Sequence, residues 1–449
     1  MKRNQMKQRF RFNPPQVLVA GFALIIVIGA SLLRLPMATE DGLGMDWLDA
    51  FFTATSATCV TGLVVVDTGT TFSLFGELVI LTLIQIGGLG FMTFATLYAL
   101  FLGKRISLKE RLLLQQSLNQ VSMEGIVRLV QLLLIFTAIC EVVGGLLLAA
   151  RFAYDMPVAQ ALYYGIFHAI SNFNNAGFDL MGEFRSFTGY VTDPMMNIVL
   201  YALIVLGGLG FMVMAELYDY RYRHRLSMHT KVVLATTGSL IALGTVVIFL
   251  LEFSNPKTLQ PLSMFGKFLA SLYQSITPRT AGSNTLDITQ MHHSTLFFIM
   301  FLMFIGASPG STGGGIKTTT FATLMGAVWS QIKGREDIVF FRQRIMPHMI
   351  AKSLTVIVSS LFLIAVTTMV LTITEGKIEF IKILFEAVSA SSTVGLSMGL
   401  TPELTPYGRM MLILTMFAGR VGPLTIAFAL AQRKQKEYFR YPQGKIMIG

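Results

Sequence analysis

Four short stretches of this chain gather small and hydroxyl side chains around one glycine. They are Thr58-Cys59-Val60-Thr61-Gly62, Asn174-Asn175-Ala176-Gly177, Thr277-Pro278-Arg279-Thr280-Ala281-Gly282 and Ser392-Thr393-Val394-Gly395. The chemistry such residues offer is mainly backbone carbonyl oxygen. Glycine adopts positive φ without steric cost, so a chain around it can turn several carbonyls toward one line. Carbonyl dipoles replace the hydration shell of a metal cation and bind it weakly enough to let it leave. The alternative for a bare cation in hydrocarbon is a Born cost on the order of tens of kcal/mol. No acidic residue lies within the four stretches, which favours a monovalent over a divalent ion.

The spacing of the glycines says what must position them. They fall 115, 105 and 113 residues apart, and each is flanked on both sides by a long apolar segment. Each stretch also follows an amphipathic segment (46–57, 161–173, 265–276 and 380–391) too short to cross about 30 Å of hydrocarbon at 1.5 Å per residue. We therefore expect an all-α polytopic membrane protein of four parallel repeats, each a membrane helix, a re-entrant half-helix and a second membrane helix. Four copies of one unit imply a pseudo-fourfold ring around one axis. The expected spans are 17–35, 75–102, 127–150, 194–218, 231–252, 294–330 (interrupted), 351–373 and 408–432, eight in all. Each half-helix would aim its C-terminal end, about half a negative charge, at the ring. The division this implies is a basic arm over 1–16, repeats over 17–112, 113–228, 229–345 and 346–433, and a tail over 434–449.

Composition agrees with a membrane protein. Of 449 residues, 53% are hydrophobic and 13% charged, with a mean hydropathy of +0.64. Soluble domains carry about 25% charged residues. The first apolar segment lacks a small-residue cleavage pattern and reads as retained. A net charge of +11 could mean nucleic acid, but 23 of the 35 Lys and Arg sit in five clusters at 1–12, 103–111, 221–231, 333–352 and 433–445. Those lie at the chain ends and between the repeats, always after an even number of spans. The positive-inside rule puts all five, and both termini, in the cytoplasm. Basic charge is thus a topology signal, with contact to anionic membrane lipid or an acidic partner surface as a second use and no role for nucleic acid. Cys59 and Cys140 lie far apart in apolar surroundings, with no disulfide framework or metal-ligand cluster.

Further patterns accompany the glycines. Ile86-Gly87-Gly88-Leu89-Gly90-Phe91-Met92 recurs as Leu206-Gly207-Gly208-Leu209-Gly210-Phe211-Met212, and Gly306 and Gly419 hold the matching place in the last two repeats. Close helix packing and pore lining both explain small residues there. Nine positions before each glycine stand Thr53, His168, Tyr273 and Glu386, which we expect to brace the half-helices by hydrogen bonds to neighbouring helices. Glu141 lies inside a span, an expensive position whose role stays open. Gly306-Ala307-Ser308-Pro309-Gly310-Ser311-Thr312-Gly313-Gly314-Gly315 cannot hold a regular helix. Broken backbone at membrane depth is tolerated only where protein or water satisfies it.

The glycine stretches, the Gly-Gly-Leu-Gly-Phe repeats, Gly306–Lys317 and Gly419-Arg420-Val421-Gly422-Pro423 resemble the Trk/Ktr/HKT superfamily of potassium transporters over nearly the whole chain. Eight spans without an extra leading pair look most like the KtrB/KtrD membrane subunits of bacterial Ktr systems. The resemblance implies that Gly62, Gly177, Gly282 and Gly395, with the residues around them, form a selectivity filter for potassium. Some relatives carry serine at the first glycine and favour sodium, so Gly62 implies potassium preference, and uptake in Ktr systems is often sodium-stimulated. By the same resemblance residues 306–317, ending at Lys317, form an intramembrane gate loop. Arg420 becomes the arginine that faces the pore below the filter and repels cations; read from the sequence alone, it could equally pair with Glu386 or Glu141.

The resemblance further implies a homodimer in the bacterial cell membrane, seated on an octameric cytosolic ring of nucleotide-binding RCK subunits (KtrA/KtrC-like). This chain has no Gly-x-Gly-x-x-Gly element opening a soluble α/β pattern, so nucleotide would belong to that partner, and no covalent cofactor is expected. A proton- or sodium-coupled transporter, or a sodium-permeable pore, is the competing reading, with Glu141 and Glu386 as the carboxylates for coupling. An enzyme would need a catalytic constellation, and His168 with Ser171 reads better as half-helix packing.

Overall fold

The computed structural model describes residues 14–90, 126–335, 337–423 and 425–426. The chain opens with α1 (Pro14–Leu33), α2 (Trp47–Cys59) and α3 (Leu74–Leu89). There follow α4 (Ile126–Phe152), α5 (Val158–Phe173), α6 (Pro194–Leu209) and α7 (Phe211–Arg223), then α8 (Met228–Glu252), α9 (Met264–Ile276), α10 (His293–Phe304) and α11 (Thr318–Ile332). An antiparallel hairpin, Val339–Phe340 with Gln343–Arg344, precedes α12 (Pro347–Thr374), α13 (Phe380–Ser392) and α14 (Pro406–Val421). One order of elements thus occurs four times: a long helix, a short helix, a glycine stretch and an outgoing helix.

The long helices α1, α4, α8 and α12 are, among the described residues, the four single helices long and apolar enough to cross a bilayer. Their outward faces are apolar: on α4, Ile135, Ile139, Val142 and Leu146 are each more than half exposed, while Leu133, Thr137, Glu141 and Leu148 on the opposite face are buried. That spacing of three to four residues gives one lipid-facing stripe and one inner stripe. The short helices α2, α9 and α13 have 13 residues and α5 has 16. Two of them, α2 and α9, start at side-chain caps. Asp46 accepts from Leu48 N before α2, and Ser263 accepts from Gly266 N before α9.

The outgoing helices depart from the sequence expectation of continuous spans. The segment expected over 194–218 is two helices, α6 and α7, bent by 101° at Gly210. The segment expected over 408–432 ends as a helix at Val421, before Gly422, and its continuation past residue 426 lies outside the described residues. The segment expected over 75–102 runs as α3 only to Leu89, and its remainder also lies outside them. Gly90, Gly210 and Gly422 share one backbone conformation, with φ of +82°, +95° and +90° and ψ of 133°, 138° and 128°. Side chains exclude that region, so the last glycine of each of these Gly-x-x-Gly segments stops its helix. The sequence expectation missed this because apolar content continues across the break.

Among the described residues five buried apolar clusters tie the elements together, and the largest joins α1–α3 to Phe167 and Phe178 on one side and to Leu371, Ile383, Leu412 and Met416 on the other. The first and last quarters of the chain are also clamped by charge. Arg409, in the first turn of α14, pairs with Asp49 in the first turn of α2 and donates to the carbonyls of Leu404 and Pro402 at 3.1 and 3.0 Å. Three acceptors on one planar guanidinium cannot all be reached by an ammonium. Arg409→Ala should cost about 1–3 kcal/mol and lower the unfolding midpoint of the purified protein in detergent. Arg409→Lys should recover only part of the loss, and an unchanged midpoint in both variants would show that this clamp does not hold the two quarters.

Candidate ion pathway

Each short helix passes into its glycine stretch through the same backbone geometry. Two residues before each glycine, a residue with a side chain lies in the left-handed region: Val60 at φ +56°, Asn175 at +58°, Thr280 at +78° and Thr393 at +50°. The glycines follow at φ +90° for Gly62, +71° for Gly177, +80° for Gly282 and +93° for Gly395. Left-handed residues other than glycine cost on the order of 1–3 kcal/mol each, so the surroundings must hold them. They do so with hydrogen bonds. Thr61 N, Ala176 N and Val394 N donate to Ser56 O, Ser171 O and Ser389 O at 2.8, 2.8 and 2.9 Å, and Ala281 N to Thr277 O at 2.9 Å. Side chains add to this, with Gly62 N donating to Ser56 Oγ and Gly395 N to Ser389 Oγ, both at 3.1 Å.

The four stretches converge in a closed cycle. A Cβ placed on Gly62 would lie 2.5 Å from Ala176 O, one on Gly177 would lie 2.9 Å from Ala281 O, and one on Gly282 2.5 Å from Val394 O. On Gly395 it would overlap Thr61 O, which returns the cycle to its start. Every one of these carbonyls belongs to the residue just before the next glycine. Two independent constraints therefore demand glycine at each of the four positions, positive φ and the near approach of the neighbouring stretch. Around the cycle the hydroxyls of Thr58, Thr61 and Thr393 are buried and have no partner among the described residues. Orphaned oxygens in a buried site are costly unless something else uses them.

The polar residues nine positions before the glycines act locally. His168 Nε2 accepts from Leu180 N at 3.0 Å, Tyr273 OH bonds Ser283 Oγ at 2.6 Å, and Glu386 accepts from Ser397 Oγ and Thr401 Oγ1. In three of four repeats the half-helix thus braces the segment that leaves its own glycine, rather than a neighbouring helix. Thr53 makes no such bond. Glu141 of α4 supports the second stretch, accepting from Gln85 Nε2 of α3 and from Asn174 Nδ2, both at 3.0 Å. The guanidinium of Arg279 donates to Thr237 Oγ1 of α8 at 3.3 Å.

Against the cycle lies the interrupted segment. Ile305 and Ile316 form a parallel bridge that closes residues 306–315 into a loop between α10 and α11. A Cβ on Gly313 would strike Thr280 Oγ1 and one on Gly314 would strike Thr393 Oγ1, so the loop packs directly against two glycine stretches. Thr312 Oγ1 donates to Phe173 O at 3.2 Å, Ser308 N to Gly208 O at 2.9 Å, and Gly310 O accepts from Phe211 N at 2.8 Å. Two cations hold the loop's own carbonyls. Lys317 Nζ donates to Gly313 O at 2.7 Å and Gly314 O at 3.2 Å, while Arg420 donates to Thr312 O. The same guanidinium caps the C-terminal end of α3 through Gly87 O and Gly88 O. Neither Glu141 nor Glu386 is a partner of Arg420, so the ion pair weighed from the sequence is absent among the described residues.

The small-residue repeats also find a place. Gly87, Gly207 and Gly419 press against the carbonyls of Thr58, Phe173 and Ser391, each four residues ahead of its motif glycine. Gly306, at the matching place in the third repeat, meets Gly314 O of the loop instead. What sequence reading missed is the left-handed residue two before each glycine; Val60 and Thr393 carry no local sign of it. Arg420 occupies the position of Gly88 and Gly208 in the Gly-x-x-Gly register, and that alignment was open to sequence reasoning.

Residues 1–441 match the profile of the TrkH family, described as a cation transport protein. The chain is 46% identical over 449 residues to the Ktr system potassium uptake protein B of Bacillus subtilis (strain 168), covering 100% of both. It is 39% identical over 454 residues to the potassium/sodium uptake protein NtpJ of Enterococcus hirae, with 99% of each covered. Among solved structures, the potassium transporter TrkH from Vibrio parahaemolyticus aligns with a TM-score of 0.72 at 17% identity, over 96% of this chain and 87% of that one, a likeness of fold. The apolar helices, the fold and the full-length match agree: this chain is a multi-pass membrane protein that belongs to the TrkH family of cation transport proteins.

Proposed function

We propose that this chain is the potassium-translocating membrane subunit of a Ktr-type uptake system, acting as a gated channel in a bacterial plasma membrane. The observation that carries the reading is the closed cycle in which each motif glycine backs onto the carbonyl before the next. Its carbonyls and the orphaned threonine hydroxyls supply neutral oxygens for a dehydrated monovalent ion, and no carboxylate stands among the motif residues. Eight crossings follow if each outgoing segment, bent or broken as it is, completes one span beside α1, α4, α8 and α12. The quarters 17–112, 113–228, 229–345 and 346–433 then surround one pseudo-fourfold axis, with the basic clusters and both termini cytoplasmic.

In this reading residues 306–317 close the conduit below the filter. Thr312, Gly313 and Gly314 carbonyls, which could otherwise bind an ion, are taken by Arg420 and Lys317, and both cations repel a third. Opening requires displacing the loop. Three relatives are named as proteins of a Ktr system, which supports a separate partner. We assign that role to an RCK ring of the KtrA/KtrC kind that holds the nucleotide, beneath a homodimer of this chain. One relative is named for both potassium and sodium, so a sodium-permeable pore is the second reading.

Purified protein in liposomes given only a potassium gradient should conduct; a requirement for co-transported sodium or protons would defeat the channel reading. Gly62→Ser sets a side chain against Ala176 O and should cut potassium preference over sodium by about tenfold, or about 1.4 kcal/mol. Unchanged selectivity would remove the filter assignment.

Arg420→Ala and deletion of 310–315 should each raise flux several-fold at unchanged abundance. Arg420→Lys should lie between, since one ammonium cannot serve both Thr312 O and the end of α3. Loss of folded protein without any change in flux per molecule would make Arg420 a structural residue only.

Glu141→Gln keeps an acceptor for one of two amides and should preserve most uptake. Abolished uptake with intact protein would make Glu141 the coupling carboxylate of a secondary transporter.

A further inference from the structure

We propose that the notch between the end of α7 and the start of α8 binds the phosphate of an anionic phospholipid at the cytoplasmic membrane surface. The side of the membrane rests on the topology proposed above; the site itself rests on separate observations. The first is direction. After the 101° bend at Gly210, α7 no longer follows the apolar α6 and runs across it. Its first turn is anchored inward, with Phe211 and Val213 buried, whereas Tyr218, Tyr220 and Tyr222 near its end are exposed. Tyrosine and arginine on a short helix crossing the spans are the residues of the membrane–water interface.

The second observation is a cavity of about 350 Å³ at that end, lined by Tyr220, His224, Arg225, Leu226 and Lys231. Its shape comes from a tight reversal. His224, at φ +48°, ends α7 with its N–H on Tyr220 O at 2.8 Å, and Ser227 caps α8 through Thr230 N at 3.2 Å. The charge is not neutralised: among the described residues neither Arg225 nor Lys231 has an ion-pair partner. Two acids stand on the neighbouring turns of α7, Glu216 and Asp219. Glu216 is already engaged by Ser227 N and Oγ at 3.1 and 2.9 Å.

The third observation is the company the cations keep. Arg221 lies over the rings of Tyr218 and Tyr222, at 5.2 and 5.1 Å, and Lys231 stands 5.8 Å from the ring of Phe341 beside the hairpin. The notch therefore offers a guanidinium, an ammonium, an imidazole and a phenol to phosphate oxygens. Leu226 and the exposed tyrosine rings offer apolar surface to the glycerol and acyl chains. A free phosphate would use the first set alone, and a lipid uses both.

The test uses the full chain purified in detergent and examined by native mass spectrometry with phosphatidylglycerol, phosphatidylcholine or inorganic phosphate. The double variant Arg225→Ala/Lys231→Ala should lose about tenfold in phosphatidylglycerol retention, with phosphatidylcholine unaffected. Lys333→Ala/Arg335→Ala, which removes equal charge elsewhere, should retain the lipid. Equal loss in both double variants, or no loss in the first, would overturn the proposal. So would inorganic phosphate binding with no preference for the lipid. Unchanged lipid retention with lost association of a co-expressed RCK ring would assign the notch to protein docking instead. Potassium flux in phosphatidylcholine liposomes reports the transport reading separately, so intact flux with no lipid preference sinks this inference alone.

Discussion

The constraint on which the rest of the structure depends is steric. Four backbone segments approach so closely that no Cβ fits between any glycine and the carbonyl of the next segment. Everything around the cycle serves that approach. Half-helices deliver the chain to it and left-handed residues turn the chain into it; buried hydroxyls, an imidazole, a phenol and the Glu386 carboxylate hold the segments that leave it, while Glu141 holds the second stretch itself. Neutral oxygens gathered in this way are what the proposed function asks of a site for an ion that must shed its water and regain it.

The charges below the cycle follow from the same economy. Arg420 and Lys317 are neutralised by no acid among the described residues; instead they draw on carbonyl dipoles of the loop and of the α3 terminus. A cation bound by dipoles keeps its net charge, so the loop is both tied down and electropositive. Glu141 and Glu386, the carboxylates that would most readily serve proton coupling, are instead committed to amide and hydroxyl donors beside the glycine stretches.

Much of this was legible in the residues. Apolar length marked α1, α4, α8 and α12, glycine with hydroxyl neighbours marked the four stretches, and proline with glycine marked the interruption at 306–315. What stayed hidden has physical causes. Hydropathy is blind to the stops at Gly90, Gly210 and Gly422, because apolar residues continue on both sides of a backbone turn. Left-handed Val60 and Thr393 are held by hydrogen bonds back to the end of their own half-helix, a closure that branched side chains do not announce. The partner of the Arg279 guanidinium, Thr237 on α8, was equally hidden, because position in sequence carries no information on where a long side chain goes.

One further consequence follows from carrying all four quarters on a single polypeptide. In an assembly of identical subunits any substitution arrives fourfold, and a ring that tolerates one altered corner is never sampled alone. Here the four equivalent positions already carry three residue types, Thr61, Ala176 with Ala281, and Val394. Selection can therefore adjust this cycle of contacts in single steps, one side at a time, and reach asymmetric solutions closed to a tetramer of repeated subunits.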